Sequence, residues 1–427
     1  MSEIASPPLP PPARPTLLRY LKRPVVFRDA LSKAWKCSTW TLDVWASKTK
    51  NLSLNFRIGP RTQTEQPTWE NESSYVPASI EEFNRWTGGQ AHAADELGKV
   101  DGLSQFAYSG YNYMSKVFGD LPDVLEAVDW SSFGFPGRDG RESAFWLGSA
   151  GSNTPCHQDA YGCNLVAELV GRKAWTLFPP EMSSSLYPTR IPFEESSIFS
   201  QVNLEKIDVA RFPKTKLLKP YYVVLEPGDV LFVPPRWWHY VRCLDTSLSI
   251  NTWIPLSTDR EHQLQEAVTR TLATLLIPCY EDEDSTWLNT NEARILISAA
   301  SDLSSESQGA AISFTFLWMS LELTTPDENL AYISKLLGPP AGEVEPAEEE
   351  GIVRDHEPTL VAHCTLEEYA SSSGAQLPPE SPPRKRSRFT ENSGTPRVRD
   401  VVNCFLHPDV VRLVAEKLKE LRAPPAE

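Results

Sequence analysis

Asn153-Thr154-Pro155-Cys156-His157-Gln158-Asp159 is the stretch from which the fold and the chemistry of this chain are read. On a β-strand, residues two apart project to the same face, so His157 and Asp159 would point together into one space. An imidazole plus a carboxylate suits Fe(II), and a third ligand would complete a facial triad with coordination positions left open. A His-x-Asp pair arises easily by chance in a chain with 7 His and 56 acidic residues, so it needs a second half. That half is Leu225-Glu226-Pro227-Gly228-Asp229-Val230-Leu231-Phe232-Val233-Pro234, a Pro-Gly-Asp turn feeding an apolar strand. It continues through Pro235-Arg236-Trp237-Trp238-His239, which places a histidine just past a strand, 82 residues after His157. Spacing alone fits a surface His157 and a core His239 tucked among Trp237, Trp238 and Tyr240 equally well. The other five histidines, His92, His262, His356, His363 and His407, fall in loops, helices or the tail with no partner in view.

Around these motifs, residues 105–257 read as short strands broken by Gly and Pro. They are Ala144 to Leu147, Leu165 to Leu169, Ala174 to Phe178, Tyr221 to Leu225, Val230 to Val233 and Ser247 to Ile254. Short strands without long helices between them predict a mainly β fold, an antiparallel barrel or sandwich. Upstream, Pro24-Val25-Val26-Phe27 reads as a buried strand, and Trp35, Trp40 and Trp45 suit a helix-and-turn stretch packed on a sheet. Ser79 followed by Ile80-Glu81-Glu82-Phe83-Asn84-Arg85-Trp86 reads as a capped helix. Downstream, Leu264, Val268, Leu272 and Leu276 repeat at helical spacing, as do residues within Ala311 to Leu323 and Glu328 to Leu337. Residues 258–337 are therefore expected to form a helical appendage. Clusters of Pro, Glu and Ser make residues 338–400 a disordered linker by composition. Residues 401–424 form an amphipathic C-terminal helix, with Pro408 at its first turn and Val411, Val414, Leu418 and Leu421 on one face. Docking of that face on the body is favoured over docking on a partner. Residues 1–20, with Pro7-Pro8-Leu9-Pro10-Pro11-Pro12, read as a disordered or polyproline-II lead.

Composition narrows the function classes. The 427 residues can bury a large core, and 41% are hydrophobic, with 13 Trp. A formal net charge of -15 argues against loose, phosphate-driven nucleic-acid binding. Seven cysteines, an odd number at irregular spacings with no CxxC pair, argue against a disulfide framework and against a thiolate zinc site. Reduced thiols suit the cytosol or nucleus. The start Met1-Ser2-Glu3 leads into prolines rather than a signal peptide, and no run of 18 apolar residues predicts a membrane span. Pro383-Arg384-Lys385-Arg386-Ser387-Arg388 resembles a short nuclear-import run.

Thr154-Pro155-x-His157-x-Asp159, Gly171-Arg172-Lys173-x-Trp175-x-Leu177-Phe178-Pro179-Pro180 and Pro227-Gly228-Asp229 through His239 resemble, in order and spacing, the JmjC-domain 2-oxoglutarate oxygenases. The small JmjC-only hydroxylase branch is the nearest, and its entry strand matches Pro24-Val25-Val26-Phe27-Arg28. The resemblance implies a cupin/JmjC jelly roll, a double-stranded β-helix with flanking helices, over a domain at residues 21–257 whose barrel occupies about 105–257. It implies Fe(II) held by His157, Asp159 and His239, and 2-oxoglutarate as cosubstrate. A buried carboxylate must be paired, so the far carboxylate of 2-oxoglutarate needs a cation and hydroxyls. Lys173 stands where the family's anchoring lysine stands, Thr154 matches its hydroxyl donor and Tyr108 its upstream tyrosine. Asn164 and Asn251 match two asparagines near the metal, and Trp253 the aromatic wall beside them. Asp159 to Asn164 is one residue longer than in the asparaginyl-hydroxylase pattern, which predicts a bulge or longer turn containing Gly162. The implied activity is hydroxylation of a protein side chain. The competing reading is a JmjC-fold binding protein that associates with a small heat-shock protein in a stress response, with little catalysis. Histone demethylation ranks lower, because no Cys/His zinc cluster of a chromatin reader is present. The resemblance also implies a homodimer through the helices after the barrel.

Overall fold

The computed structural model describes residues 22–50, 52–62, 66–69, 73–190, 198–256, 258–276, 333, 359–377 and 404–422. Among these, nine strands form one antiparallel sheet and six form a second. The first sheet holds β1 (Val25–Phe27), β2 (Leu54–Pro60), β3 (Ser74–Ala78), β4 (Gln105–Tyr113), β5 (Ala144–Gly148), β7 (Cys163–Val170), β12 (Val230–Val233), β14 (Ser247–Ile254) and β15 (Thr359–Leu360). The second holds β6 (Asn153–Gln158), β8 (Lys173–Phe178), β9 (Pro188–Arg190), β10 (Ile198–Ser200), β11 (Tyr221–Leu225) and β13 (Trp238–Cys243). The orders are β15-β1-β12-β7-β14-β5-β4-β2-β3 and β11-β8-β13-β6-β10-β9. From β5 to β8 and again from β11 to β14, consecutive strands alternate between the two sheets, and two sheets closed on a common core make the expected jelly roll.

The period-2 rule explains why the central strands read as continuous apolar runs. Leu165, Ala167 and Leu169 of β7 join Val230 and Phe232 of β12 and Leu248 and Ile250 of β14 in an outer core beneath the helices. Val166, Leu231 and Val233 face the opposite way, into the space between the sheets, with Trp175 and Leu177 of β8. Both faces are covered, so both sets are apolar.

The outer core is roofed by the tryptophan-rich segment. Trp35, ahead of α1 (Leu42–Lys48), and Trp45, within it, are both buried, and Trp35 meets Trp130 edge-on at 4.8 Å. α2 (Ile80–Thr87) starts at a capping box in which Ser79 and Glu82 exchange hydrogen bonds, and it buries Ile80, Phe83 and Trp86. Upstream β1, β2 and β3 also enter the first sheet, so the barrel sheet begins well before residue 105.

At the other end, α3 (Asp259–Leu276) is covered by α5 (Pro408–Arg422). Leu264, Ala267 and Val268 pack with Val411, Ala415, Ile333 and Tyr161 in one buried cluster. The C-terminal helix thus docks on the body. Apolar burial at about 25 cal/mol per Å² is what holds it, because its ion pair, Lys419 to Glu261 at 3.1 Å, is exposed and contributes little.

One expectation is corrected. Residues 338–400 are not linker throughout: Thr359 and Leu360 pair with β1, and α4 (Leu366–Ser373) packs on the second sheet. Its Thr365-x-x-Glu368 capping box starts the helix locally, and Tyr369, 1% exposed, donates to the Leu204 carbonyl at 3.3 Å. A composition average over sixty residues hides so short a docking segment. The Pro-rich lead at 1–20, the Ala311 to Leu323 pattern and the basic run at 383–388 lie outside the described residues, as does most of the 258–337 appendage beyond α3. None of the six described cysteines is in a disulfide.

Candidate metal centre

β6 and β13 are neighbours, and their register sets His157 directly opposite His239. Cross-strand partners share a face, so both rings enter the space between the sheets, their centroids 4.1 Å apart. His157 Nδ1 lies 2.8 Å from the Pro155 carbonyl, and His239 Nδ1 lies 3.0 Å from the Trp237 carbonyl. Each contact places the proton on Nδ1 and leaves Nε2 as a lone-pair donor, the arrangement that a metal-ligating histidine needs. Burial, and then the neighbouring His239, pushes His157 down to about 3, so its ring is neutral near pH 7.

Asp159 is the first residue past β6. Its Oδ1 stands 3.7 Å from His157 Nε2 and 3.7 Å from His239 Nε2. That is too long for a hydrogen bond. Two ligands each about 2.1 Å from a shared ion stand roughly 3–4 Å apart, so the spacing fits a shared ion. This is the one group of three His, Cys, Asp or Glu residues, among the described residues, whose ligand atoms converge, all within 4.8 Å of one another.

The second carboxylate oxygen is held from behind. Trp253 Nε1 donates to Asp159 Oδ2 at 3.0 Å, and Asn164 Nδ2 does so at 3.3 Å. Asn251 Nδ2 donates to Asn164 Oδ1 at 2.8 Å, and Trp146 Nε1 donates to Asn251 Oδ1 at 2.6 Å. The chain Trp146, Asn251, Asn164, Asp159 fixes the carboxylate plane and points Oδ1 at the histidines. The extra residue between Asp159 and Asn164 is absorbed by a tight turn at Gly162, whose φ is +70°. A Cβ there would meet the Ile254 carbonyl at 2.8 Å, so only glycine fits. Its amide donates to Asp259 at the start of α3, tying the metal loop to that helix at 2.8 Å.

The triad forms the mouth of a cavity of about 420 Å³, part of it open to solvent. Lys173 stands at its closed end, 1% exposed, and donates from Nζ to Ser249 Oγ at 2.5 Å. Burial alone would pull the Lys173 ammonium down, but Tyr108 and Glu168 outweigh it and hold it above the usual lysine range. Thr154 and Tyr108 line the same floor, their hydroxyls 3.4 Å apart. All nine residues singled out from the sequence line this one cavity: Tyr108, Thr154, His157, Asp159, Asn164, Lys173, His239, Asn251 and Trp253. Ser249, Trp146, Tyr111, Trp175 and Val241 also line it and were not anticipated. Counting back by two from Asn251 along β14 would have found Ser249. Nothing short of the β14–β5 register would have found Trp146, which lies opposite Ser249.

The residues present suit a small dicarboxylate beside a divalent ion: two imidazoles and one carboxylate at the mouth, a buried cation with hydroxyls at the floor. A family model described as a cupin-like domain matches residues 18–258. The chain belongs to the cupin-like domain family. Within it, the JmjC-type relatives are the most informative. HSPB1-associated protein 1 of Rattus norvegicus is 43% identical over 287 residues, which cover 67% of this chain and 60% of the relative. The HSPB1-associated protein 1 homolog of Danio rerio is 42% identical over 294 residues, 68% of this chain and 65% of the relative. Lysine-specific demethylase 8 of Danio rerio is 28% identical over 238 residues, 54% of this chain and 53% of the relative. The match thus spans about three fifths of the length of the HSPB1-associated proteins. Among the described residues, no helix of this cupin-like chain is long and apolar enough to cross a membrane.

Proposed function

We propose that this chain is an Fe(II)- and 2-oxoglutarate-dependent oxygenase that hydroxylates a protein side chain. The observation that carries the reading is the pairing, within one cavity, of a converging His-Asp-His group with a buried lysine floor. His157, Asp159 and His239 would hold the iron. Lys173, with Thr154 and Tyr108, would receive the far carboxylate of 2-oxoglutarate. Once bound, the pair would supply O2-dependent oxidation of a substrate C–H bond, with decarboxylation of the cosubstrate to succinate and CO2.

The protein's part is orientation and exclusion of water. The two Nδ1–H contacts fix the rings, and the Trp253 and Asn164 donors fix the carboxylate. Trp146, Trp175 and Val241 keep the cavity walls dry around Lys173, where a charge pair is stronger than in water. Metal content and 2-oxoglutarate binding of wild type against Asp159→Ala test the reading. Retention of both in the variant, or absence of 2-oxoglutarate turnover in wild type loaded with Fe(II), would reject it.

A second reading is favoured by the names of the relatives. Proteins called HSPB1-associated suggest a small heat-shock protein as partner of this chain, with a role in stress response. Retention of that partner by His157→Ala would show binding and chemistry to be separable. Action as a lysine demethylase ranks behind hydroxylation. We place the protein in the cytoplasm, with nuclear entry through the 383–388 run, and count nucleic acid an improbable partner for so acidic a chain. Homodimerisation through the helices after the barrel remains part of this proposal, and light scattering of the full chain tests it.

A further inference from the structure

Glu168 lies on β7, fully buried, and neither of its carboxyl oxygens has a hydrogen-bond partner. It alternates with Asn164 and Val166, both of which line the cavity, so it faces the space between the sheets. Its cross-strand neighbour on β14 is Ser249. Ser249 Oγ is the atom to which Lys173 Nζ donates. A buried carboxyl and a buried ammonium therefore sit beside one hydroxyl at the closed end of the cavity.

Of the other groups near this spot, buried Arg57 approaches the Tyr108 ring but lines a separate cavity and donates to the Asn153 carbonyl. Asp229 is already neutralised by Arg28 at 2.5 Å and by the amides of Glu226 and Asp29. Tyr108 and Cys243 are held above their ordinary ranges by burial, so both are neutral near pH 7. Burial pushes the Glu168 carboxyl well up, against the pull of Lys173 and with a further push from Asp229.

Charge counting then has one outcome. With the floor empty, and at a pH alkaline enough to ionise so deeply buried a carboxyl, Glu168 is compensated by Lys173. A ligand carboxylate at Lys173 would leave two anions against one cation in a place closed to water, where an uncompensated charge is strongly disfavoured. Protonation of Glu168 restores neutrality and gives it an O–H donor.

We infer that Glu168 takes up a proton when a carboxylate ligand occupies Lys173, so that cosubstrate binding is coupled to proton uptake. This deepens the 2-oxoglutarate reading and rests on it. Glu168 is a positioning residue, acting through Lys173 and the charge of the floor.

The test uses the full chain with Mn(II) in place of iron, so that ligand binds without turnover. Calorimetric titration with 2-oxoglutarate, from pH about 6.5 to about 9, compares wild type with Glu168→Gln. In wild type the Kd should rise with pH, toward a limiting slope of about tenfold per pH unit. Titrations in buffers of different ionisation enthalpy should show up to one proton taken up per ligand. Glu168→Gln should bind with a flat profile and take up none. Equal profiles in the two proteins, with binding intact, overturn the inference alone. No binding in either overturns the cosubstrate reading and the inference with it. Should Glu168→Gln fail to fold, difference infrared spectroscopy of wild type at the alkaline end decides. A protonated-carboxyl stretch must appear on adding 2-oxoglutarate, and its absence refutes the proposal.

Discussion

The two ends of the cavity are built on opposite plans. At the mouth, each group that would touch a metal is fixed by a hydrogen bond behind it: His157 and His239 by main-chain carbonyls, Asp159 by Trp253 and Asn164. At the floor, Lys173 has one hydroxyl acceptor and neither carboxyl oxygen of Glu168 has a hydrogen-bond partner. The mouth is organised before anything binds. In the proposed reading, the floor would hold charge in reserve for an arriving anion. The difference suits that reading, since a metal site needs fixed directions whereas an anion site needs a charge it can balance.

The largest effect should come at the mouth. Asp159→Ala is expected to weaken divalent-metal binding at least ~100-fold, read as metal content after dialysis, with Tm nearly unchanged because Asp159 is at a strand end. A variant that keeps its metal would show that the mouth is not a metal centre.

Lys173→Met comes next and would break the floor. It should abolish measurable 2-oxoglutarate binding and leave Glu168 buried without a cation, at a cost of about 3 kcal/mol of stability in denaturant unfolding above the ionisation of Glu168. Adding Glu168→Gln to it should recover most of that stability and none of the binding. If the double variant is no more stable than the single one, the two groups are not coupled.

Trp253→Phe removes one donor to Asp159 Oδ2 and keeps the aromatic wall. About tenfold weaker metal binding is expected, with the floor's affinity for carboxylate retained at saturating metal. The smallest effect on the cavity belongs to Val411→Ala, far from both ends. It should lower stability by about 1.5 kcal/mol through lost burial against α3, with metal affinity unchanged within about twofold. A large loss of metal affinity in that variant would mean that the Asp259–Gly162 tie transmits α3 packing to the metal loop.

A fifth prediction concerns pH. The folded Glu168 carboxyl ionises only well above its unfolded range. Its contribution to stability is therefore present at low pH and is lost as pH rises through the folded pKa. Glu168→Gln should flatten that part of the stability–pH curve relative to wild type.

Much of the fold was legible locally. Tyr221–Leu225, Val230–Val233 and Ser247–Ile254 have the bounds their apolar runs suggest, because turns at Pro227-Gly228 and Asp245-Thr246 punctuate them. The α2 cap was legible because Ser79 and Glu82 make its bonds within one turn. β2 and β4 were not, since their Arg, Tyr and Gly residues match no single period. The docking of Thr359–Leu360 on β1 was hidden by more than three hundred residues of separation.

By itself, the sequence determined which residue types stand on which face of each strand, since alternation is a property of the backbone. It also set the turns that end those strands, and Gly162 as the one residue that the metal loop tolerates. Only the tertiary structure decided that β6 lies beside β13 in the register that opposes His157 to His239, and that β7 lies beside β14 so that Glu168 meets Ser249 and Lys173. Register across distant strands is fixed by burial of all the apolar faces together, a global condition that no local stretch contains. The physical consequence is that the ligand types can be read along the chain, while the charge balance beneath them exists only where the strands meet.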